Sequence, residues 1–285
     1  MLSVLDETGM NELKTPPLPL DRRSIELRTR IVHVLGRGGR GHLGTSLSPV
    51  EILRVLFDSV LRYDPHNPKW SQRDRFILSK GHGCIALYVL LQEKGFFAEE
   101  DLWTFCRFDS ILGGHPDPKV PGIEVSTGSL GHGLPIGVGM ALSARYENAP
   151  HRVFVVLGDG ECDEGSVWEA AMSAAKHKLD NLVVMVDYNK QQSYASTYEV
   201  LDLEPFVDKW RSFGFGCREV DGHDVAALEQ EFARVPFERG KPSAIICHTV
   251  KGKGIGFAEN NLKWHHKSNL KDSDVQEMLK ALEDQ

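Results

Sequence analysis

The sequence has few cysteines, and their spacing does not suit cross-linking. Five occur in 285 residues, at positions 84, 106, 162, 217 and 247, and no two form a C-x-x-C pair. An odd and widely spaced set argues against a disulfide framework or a zinc ribbon, and it is typical of a reducing compartment. We therefore expect a cytoplasmic protein.

Long apolar runs and an excess of positive charge are also lacking. The longest apolar run, 85–91, has seven residues, whereas a membrane-spanning helix needs roughly 18. Lys and Arg total 33 against 40 Asp and Glu, which gives a net charge of -7. Nucleic acids and anionic membranes attract basic surfaces, so we expect neither as a partner. The first residues include Asp6 and Glu7, where a secretion signal would need positive charge.

The second half of the chain alternates apolar segments with amphipathic helical patterns. Apolar runs at 153–157, 182–187 and 243–250 have the length of strands, and this alternation is typical of βαβ units. Near-continuous apolar strands indicate a parallel sheet that is buried on both faces. We predict one α/β domain over 22–285, with helices on both faces of a parallel sheet, preceded by a proline-rich arm over 1–21.

Two patterns of serine followed three residues later by glutamate suggest helix N-termini. Ser48 precedes Pro49 and Glu51, and Ser166 precedes Glu169. In a capping box the serine and glutamate side chains bond to each other's backbone N–H groups, and proline favours the first helical position. We expect a capped helix to begin at each serine.

Polar residues follow two of the predicted strands. Asp159 lies between two glycines directly after the run 153–157, and Asn189 lies thirty residues later, after the run 182–187. Ligands of open parallel sheets bind beyond the carboxyl ends of the strands. Carboxylate, amide and carbonyl oxygens suit Mg²⁺ or Ca²⁺, and glycines allow backbone N–H groups to approach a phosphate. We expect a metal-bridged diphosphate site here.

Histidines are concentrated after glycines. Of twelve histidines, those at 42, 82, 115, 132 and 223 directly follow a glycine, whereas 12 × 27/285 predicts about one. His265 and His266 follow another glycine-rich stretch. Imidazoles presented on loops can exchange protons near neutral pH, so we expect several of them to converge on one pocket.

Taken together, these blocks resemble the N-terminal, diphosphate-binding domain of the transketolase family. The resemblance covers about residues 22–270, nearly the whole chain. The blocks that carry it are the GDG motif with its later asparagine, GHLGTSLS (41–48), DRFILSKGHG (74–83), GGHPDPKVPGIEVSTGSLGHG (113–133) and VKGKGIGFAENNLKWHH (250–266). The resemblance implies a thiamine diphosphate-binding domain of the PP type.

The resemblance assigns a cofactor and a metal to the polar residues after the strands. Asp159, Asn189 and the backbone carbonyl of Gln191 would hold Mg²⁺, or Ca²⁺ in its place. Gly160 and Glu161 would lie in the binding site for thiamine diphosphate, with Gly160 against the diphosphate itself.

Histidines receive roles in binding and catalysis by the same resemblance. His82 and His265 would contact the cofactor or the reacting centre. His42 and His115 would face the hydroxyl groups of the sugar donor, and we expect His42, His115 and His265 to be catalytic.

Further cofactor contacts are implied for a loop and for an acidic side chain. The backbone of Gly128, Ser129 and Leu130 would hold the aminopyrimidine ring. Glu164 matches an acidic residue that links the two active sites across a dimer interface in the family. His132 stands where many single-chain transketolases have glutamine.

The activity that the resemblance implies is the transfer of a two-carbon glycolyl unit from a ketose, or ketose phosphate, to an aldose. In the family the active site also needs a pyrimidine-binding domain, for which this chain has no room. We therefore expect the N-terminal subunit of a split transketolase, which forms an α₂β₂ complex with a separate C-terminal subunit.

Three other functions stay open at the level of sequence. The α subunits of 2-oxoacid dehydrogenases share the GDG element with its later asparagine, but they lack the DRFILSKGHG and GGHP blocks. 1-Deoxyxylulose-5-phosphate synthase contains a motif similar to TGSLGHG. A binding module without turnover would have the same fold, although the retained Asp159, Asn189 and histidines argue against such a loss of activity.

Overall fold

A five-stranded sheet, parallel throughout, organises the chain. The computed structural model describes residues 19–285, so the arm predicted over 1–21 lies outside the described residues except for its last three. In chain order the strands are β1 (Arg40–Gly41), β2 (Arg75–Leu78), β3 (Val153–Gly158), β4 (Leu182–Tyr188), β5 (Gly216–Asp221), β6 (Ser243–His248) and β7 (Lys267–Ser268). The main sheet has the order β2-β3-β4-β6-β5, while β1 pairs with β7 in a short antiparallel ribbon. The predicted α/β class is confirmed.

Helices cover both faces of this sheet. Their bounds are α1 (Arg22–Gly38), α2 (Leu43–Leu47), α3 (Val50–Val55), α4 (Cys84–Glu93), α5 (Glu99–Leu102), α6 (Gly133–Tyr146), α7 (Gly165–Lys176), α8 (Thr197–Val200), α9 (Phe206–Ser212), α10 (Val225–Ala233) and α11 (Asp272–Glu283). The layer that contains α1, α3, α4 and α10 packs on one face, and α6, α7 and α9 pack on the other. Between residues 19 and 285, no helix is both long and apolar enough to cross a membrane.

The strand side chains divide between two apolar clusters because successive residues of a strand point to opposite faces. Phe154 and Val156 of β3 pack in the cluster with α1 and α4, whereas Val155 and Leu157 pack in the cluster with α6 and α7. Every residue of β3 and β4 is buried. The continuous apolar runs in the sequence therefore correspond to central strands, as predicted.

Both predicted capping boxes are absent, because tertiary contacts engage the serines instead. The hydroxyl of Ser48 donates to Asp187 at 2.6 Å, and α3 begins at Val50 without a side-chain cap. The hydroxyl of Ser166 donates to the carbonyl of Gly131 at 2.8 Å, and α7 has no side-chain cap either. A local pattern that fits a helix start is overridden where a buried acceptor lies nearby.

The register of the sheet aligns the ends of its central strands. Gly158 of β3 lies opposite Asp187 of β4, and Asp187 lies opposite Cys247 of β6. The turns that follow these strands therefore leave the same edge side by side. This edge is where the polar residues of the sequence come together.

Candidate active site at the carboxyl edge of the sheet

A cavity of about 280 Å³ lies at the carboxyl edge of the main sheet. We call it the site cavity. Residues from the turns after β2, β3, β4 and β6 line it, together with residues between β1 and α2 and from the loop before α6. Of the residues singled out in the sequence, it brings together His42, His82, His115, Gly128, Leu130, Asp159, Gly160, Glu161, Asn189, Gln191 and His265.

Two predicted residues lie outside the lining of the site cavity. Ser129 is exposed, and its hydroxyl lies 3.4 Å from the Nδ1 atom of His132. Glu164 is exposed and occupies the residue before α7. The roles predicted for them, a backbone contact for Ser129 and an intersubunit contact for Glu164, do not require either side chain to line the cavity.

Asp159 and Asn189 form an oxygen-rich cradle between β3 and β4. One oxygen of Asp159 accepts from the N–H of Gly160 at 2.8 Å, and the other accepts from the N–H of Lys190. The side-chain oxygen of Asn189 accepts from the N–H of Gln191 at 3.1 Å. These bonds fix both side chains at the two adjacent turns, with their remaining lone pairs available to a cation.

The charge of Asp159 is poorly compensated by the protein itself. Burial, reinforced by the carboxylate of Asp187, raises the pKa of Asp159 to about 7. A bound cation would reverse this effect, because an opposite charge favours the ionised form.

The donor set of the cradle fits a hard cation. No group of three or more His, Cys, Asp or Glu residues that could hold a metal occurs within 19–285, which is unlike a zinc site. One carboxylate, one amide oxygen and backbone carbonyls instead match Mg²⁺, which retains waters and uses phosphate oxygens as further ligands.

Lys80 and Asp187 form a buried ion pair beneath the cradle. Their side chains are 1% and 0% exposed, and Asp187 also accepts hydrogen bonds from Ser48 and Thr249. Burial would raise the pKa of Asp187, but the Lys80 ammonium outweighs it and the pKa is lowered. Asp187 is thus saturated with donors and does not line the site cavity, whereas Asp159 does.

Lys251 brings a second ammonium group to the site cavity. It donates to the carbonyls of Gln191 at 2.8 Å and Gln192 at 3.0 Å. Burial lowers the pKa of Lys251 to about 8, although Asp159 acts in the opposite direction. Neither Lys80 nor Lys251 was predicted from the sequence; the signal that could have found them is a lysine in each glycine-rich turn after a strand.

Glu161 supports the site from within the protein. Its carboxylate accepts from the N–H of Gly131 at 2.9 Å and the N–H of Gly158 at 3.1 Å, and Ser79 donates to it as well. Glu161 therefore ties the loop before α6 to the turn after β3. This contact positions the backbone of 128–130, the segment predicted to hold an aminopyrimidine ring.

Four histidine rings converge at the site cavity. The ring centroid of His42 lies 5.3 Å from that of His82, 6.2 Å from that of His115 and 5.7 Å from that of His265. The Nδ1 atom of His265 is buried and has no hydrogen-bond partner among the described residues. A buried ring nitrogen of this kind needs a partner, and a ligand in the site cavity can supply one.

The histidines are neutral at physiological pH. Burial, followed by the positive groups around them, lowers the pKa of His42 to about 4 and that of His265 to about 3. The pKa of His82 is lowered well below its ordinary value for the same reasons, and burial lowers the pKa of His115. Neutral imidazoles can accept a proton or donate a hydrogen bond to a hydroxyl group.

The lowered pKa values of these histidines make the stability of the folded chain decrease as the pH falls. In the unfolded chain these histidines protonate near pH 6.5, whereas folded His42 and His265 resist protonation until about pH 4 and about pH 3. The unfolded state therefore binds more protons, and these groups reduce stability as the pH falls below 6.5.

We expect H42Q/H265Q to lose less stability than the wild type between pH 6.5 and 4.5. Urea denaturation at each pH measures the free energy of unfolding of both proteins. The opposing effect of Asp159 is present in both and therefore cancels in the difference between them. Equal pH slopes for the two proteins would contradict the assignment of neutral rings. The exposed His33, changed to glutamine, is the control.

Nearly the whole chain matches one known family. Residues 22–283 match the family model described as "Transketolase, thiamine diphosphate binding domain". The chain belongs to the transketolase family. This match favours transketolase over the dehydrogenase subunits considered from the sequence alone.

Transketolase relatives of similar length are subunits of two-component enzymes. The chain is 44% identical to a subunit of the apulose-4-phosphate transketolase of Phocaeicola vulgatus, with 87% of this chain and 88% of the relative covered. It is 42% identical to "6-deoxy-6-sulfo-D-fructose transketolase subunit SqwG" of Clostridium sp., with 87% and 91% covered. The chain is therefore a transketolase subunit of the split type.

Single-chain transketolases contain this domain as a part of a longer polypeptide. Human transketolase is 38% identical over 90% of this chain, which corresponds to 41% of the human protein. The structure of transketolase from Leishmania mexicana superposes with a TM-score of 0.85 at 30% identity, covering 94% of this chain and 42% of that one. The parallel sheet and its helices thus have the architecture of the transketolase cofactor-binding domain.

Proposed function

We propose that this subunit binds Mg²⁺ and thiamine diphosphate in the site cavity and transfers a two-carbon ketol unit between sugars, together with a C-terminal partner subunit. The observation that carries the proposal is the joint placement of the Asp159–Asn189 cradle and four neutral histidines at one edge of the sheet. Ca²⁺ has the same preference for oxygen ligands and would replace Mg²⁺.

The cradle would hold the metal through Asp159, Asn189 and the carbonyl of Gln191, and the metal would supply positive charge for the diphosphate. Gly160 would lie against the diphosphate, and the absence of a side chain also allows Gln192 to pack there, since a Cβ at 160 would come within 2.8 Å of the Gln192 side chain. Lys251 adds positive charge beside the same carbonyls. When bound, thiamine diphosphate supplies the carbon nucleophile and the electron sink for the two-carbon unit.

The histidines would perform the proton transfers on the sugar. His42 occupies the centre of the group, because the rings of His82, His115 and His265 all surround it. A neutral imidazole there can accept the hydroxyl proton as a carbon–carbon bond breaks and can return it when the acceptor aldehyde is bound. His115 and His265 would orient the neighbouring hydroxyl groups.

We expect H42Q to lower kcat/KM for ketol transfer by about 100-fold, since a general base contributes at least roughly that factor. The Kd for thiamine diphosphate should change by less than about threefold, because the ring acts on the sugar. Steady-state kinetics and cofactor titration measure the two quantities, and H33Q is the control. A normal kcat/KM in H42Q would remove His42 from the reaction.

The complex would be a heterotetramer with two copies of each chain. The relatives named as transketolase subunits support the need for a partner chain. Exposed apolar side chains on α6 and α7, among them Ile136 and Met172, offer a surface for contact between chains. Native mass spectrometry of the chain isolated from its own cells identifies the partner and the stoichiometry. A chain that turns over ketoses alone would contradict the need for a partner.

The substrates would be a ketose donor and an aldose acceptor. Relatives are named for apulose 4-phosphate and 6-deoxy-6-sulfofructose, so the donor screen should include sugars with phosphate, sulfonate and uncharged ends. Two-carbon transfer with the purified complex, Mg²⁺ and thiamine diphosphate is detected by mass spectrometry of the product sugars. Turnover of 2-oxoacids and of no ketose would contradict the proposal.

A further inference from the structure

A buried carboxylate outside the cradle makes contacts on two sides. Glu51 of α3 is 1% exposed at its side chain and pairs with Arg28 of α1, which is 0% exposed. The two side chains share two parallel hydrogen bonds of 2.5 and 2.9 Å. Glu51 also bonds to the Nδ1 atom of His223 at 2.8 Å, and the side chain of His223 is 6% exposed.

The two partners of Glu51 hold the two ends of one short turn. The Nε atom of Arg28 donates to the carbonyl of Lys253 at 2.8 Å. The N–H of Val250 donates to the Nε2 atom of His223 at 2.9 Å. Lys251 lies between these two anchored residues and extends into the site cavity. One carboxylate thus fixes, through two intermediaries, the backbone that presents this lysine.

The hydrogen bonds define the protonation of the assembly. Because Nε2 of His223 accepts a hydrogen bond, the neutral ring carries its proton on Nδ1 and donates it to Glu51. Burial would raise the pKa of Glu51, but Arg28 and His223 together lower it well below its usual range. Glu51 is therefore a permanent acceptor, and His223 has one orientation.

The backbone geometry explains why His223 reaches the turn. Gly222 approaches Thr249 so closely that a side chain at 222 would come within 2.4 Å of the threonine methyl group. The N–H of Gly222 donates to the carbonyl of His248 at 2.7 Å. The turn after β5 is thereby bonded to the end of β6, with His223 directed between α3 and Val250.

We propose that His223 and Arg28, both bonded to Glu51, are positioning residues that place the Lys251 ammonium for the anionic cofactor. The assembly does not line the site cavity and touches no reacting atom. It acts by holding the backbone from Val250 to Lys253, so that Lys251 meets the carbonyl of Gln191 and the diphosphate without a cost in side-chain ordering. The inference rests on the proposed cofactor site.

Two substitutions of His223 separate its two hydrogen bonds. In H223N the shorter side chain can still donate to Glu51 but cannot reach Val250, whereas in H223Q the amide oxygen can still accept from Val250. We expect H223N to raise the Kd of thiamine diphosphate at saturating Mg²⁺ about tenfold, which corresponds to one lost hydrogen bond to the turn. H223Q should raise it by less than about threefold. Tryptophan fluorescence of the full chain with its partner measures each Kd.

The decisive comparison combines these changes with K251M. If His223 acts through Lys251, H223N should add nothing to the Kd of K251M, since coupled residues are non-additive. With saturating cofactor, kcat should stay within about threefold of the wild type in H223N. Additive effects of H223N and K251M, or an unchanged Kd in H223N, would overturn the proposal.

Controls distinguish this inference from the proposed function. His248 pairs with Glu219 at 3.0 Å in a similar but more exposed arrangement, and H248Q should leave the Kd unchanged. D159N should abolish binding if the cofactor site is correct; retained binding in D159N would refute the site rather than the role of His223. Should H223N fail to fold, H223L, which fills the same space and makes neither hydrogen bond, is combined with K251M for the same test of additivity.

Discussion

Asp159→Ala should reduce the Mg²⁺-dependent affinity for thiamine diphosphate by about 1000-fold or more. Changes around a metal ligand typically cost roughly 10- to 100-fold, and loss of the carboxylate itself removes the charged member of the cradle. Without Mg²⁺ in the buffer the variant should be at least as stable as the wild type. Burial and the nearby Asp187 raise the pKa of Asp159, so its ionised form is costly when no cation offsets it.

Thermal unfolding separates these two effects of D159A. The wild type should gain thermal stability on addition of Mg²⁺ with thiamine diphosphate, because a ligand that binds the folded state stabilises it. D159A should show no such gain. The side-chain oxygen of Asn189 accepts a hydrogen bond from the N–H of Gln191 at 3.1 Å and makes this contact independently of Asp159. N189A therefore offers a second test of the same cradle. If Mg²⁺ and thiamine diphosphate raised the unfolding temperature of D159A as much as that of the wild type, the metal would bind elsewhere.

Lys80→Met should lower the free energy of unfolding by about 3–5 kcal/mol, the usual cost of removing one partner from a buried ion pair. The substitution leaves the Asp187 carboxylate, which is 0% exposed, with only neutral donors. Urea denaturation measures the loss. K80M/D187N should recover part of it, because no unpaired charge then stays in the interior.

A lysine in an exposed pair provides the control for K80M. The Nζ atom of Lys241 lies 2.5 Å from the Oε2 atom of Glu238, and their side chains are 48% and 53% exposed. K241M should change the free energy of unfolding by less than about 0.5 kcal/mol, as solvent-exposed pairs usually do. Equal losses in K80M and K241M would show that the Lys80–Asp187 pair is not specially important.

The sequence predicted the parts of the site that depend on local patterns. The apolar runs located β3 and β4, and the glycines and polar residues at their ends located the Asp159–Asn189 cradle. The position of the histidines after glycines indicated a common pocket, and the ring distances from His42 agree with it. The family resemblance is shown by the match over residues 22–283.

Contacts between distant segments were not predictable from local pattern. Lys80 and Asp187 are 107 residues apart in the chain, and nothing near either residue indicates the other. Ser48 fits a capping box locally, but its hydroxyl bonds to the same Asp187 at 2.6 Å. These side chains depend on how the strand ends meet, which is decided by the register of the sheet.

The predicted roles of Ser129 and Glu164 do not depend on a side chain that lines the site cavity. Family resemblance assigned a backbone contact with the cofactor to Ser129 and a contact across a dimer interface to Glu164, and both side chains are exposed outside that lining. Glu164 was expected to act across a subunit interface, and a residue with that role is placed at the surface of its own chain. Its function stays a prediction that the assembled complex can test.

The pairing of β3 with β4 has a consequence for how such sites can be found in other chains. Gly158 lies opposite Asp187, so Asp159 and Asn189 meet because two strands end together. The thirty residues from Asp159 to Asn189 include α7 and its loops, which can lengthen or shorten without moving either strand end. A one-residue slip within β4 would instead turn its side chains to the opposite face. Distant relatives are therefore better sought by matching the two strand ends than by a fixed interval between the motifs.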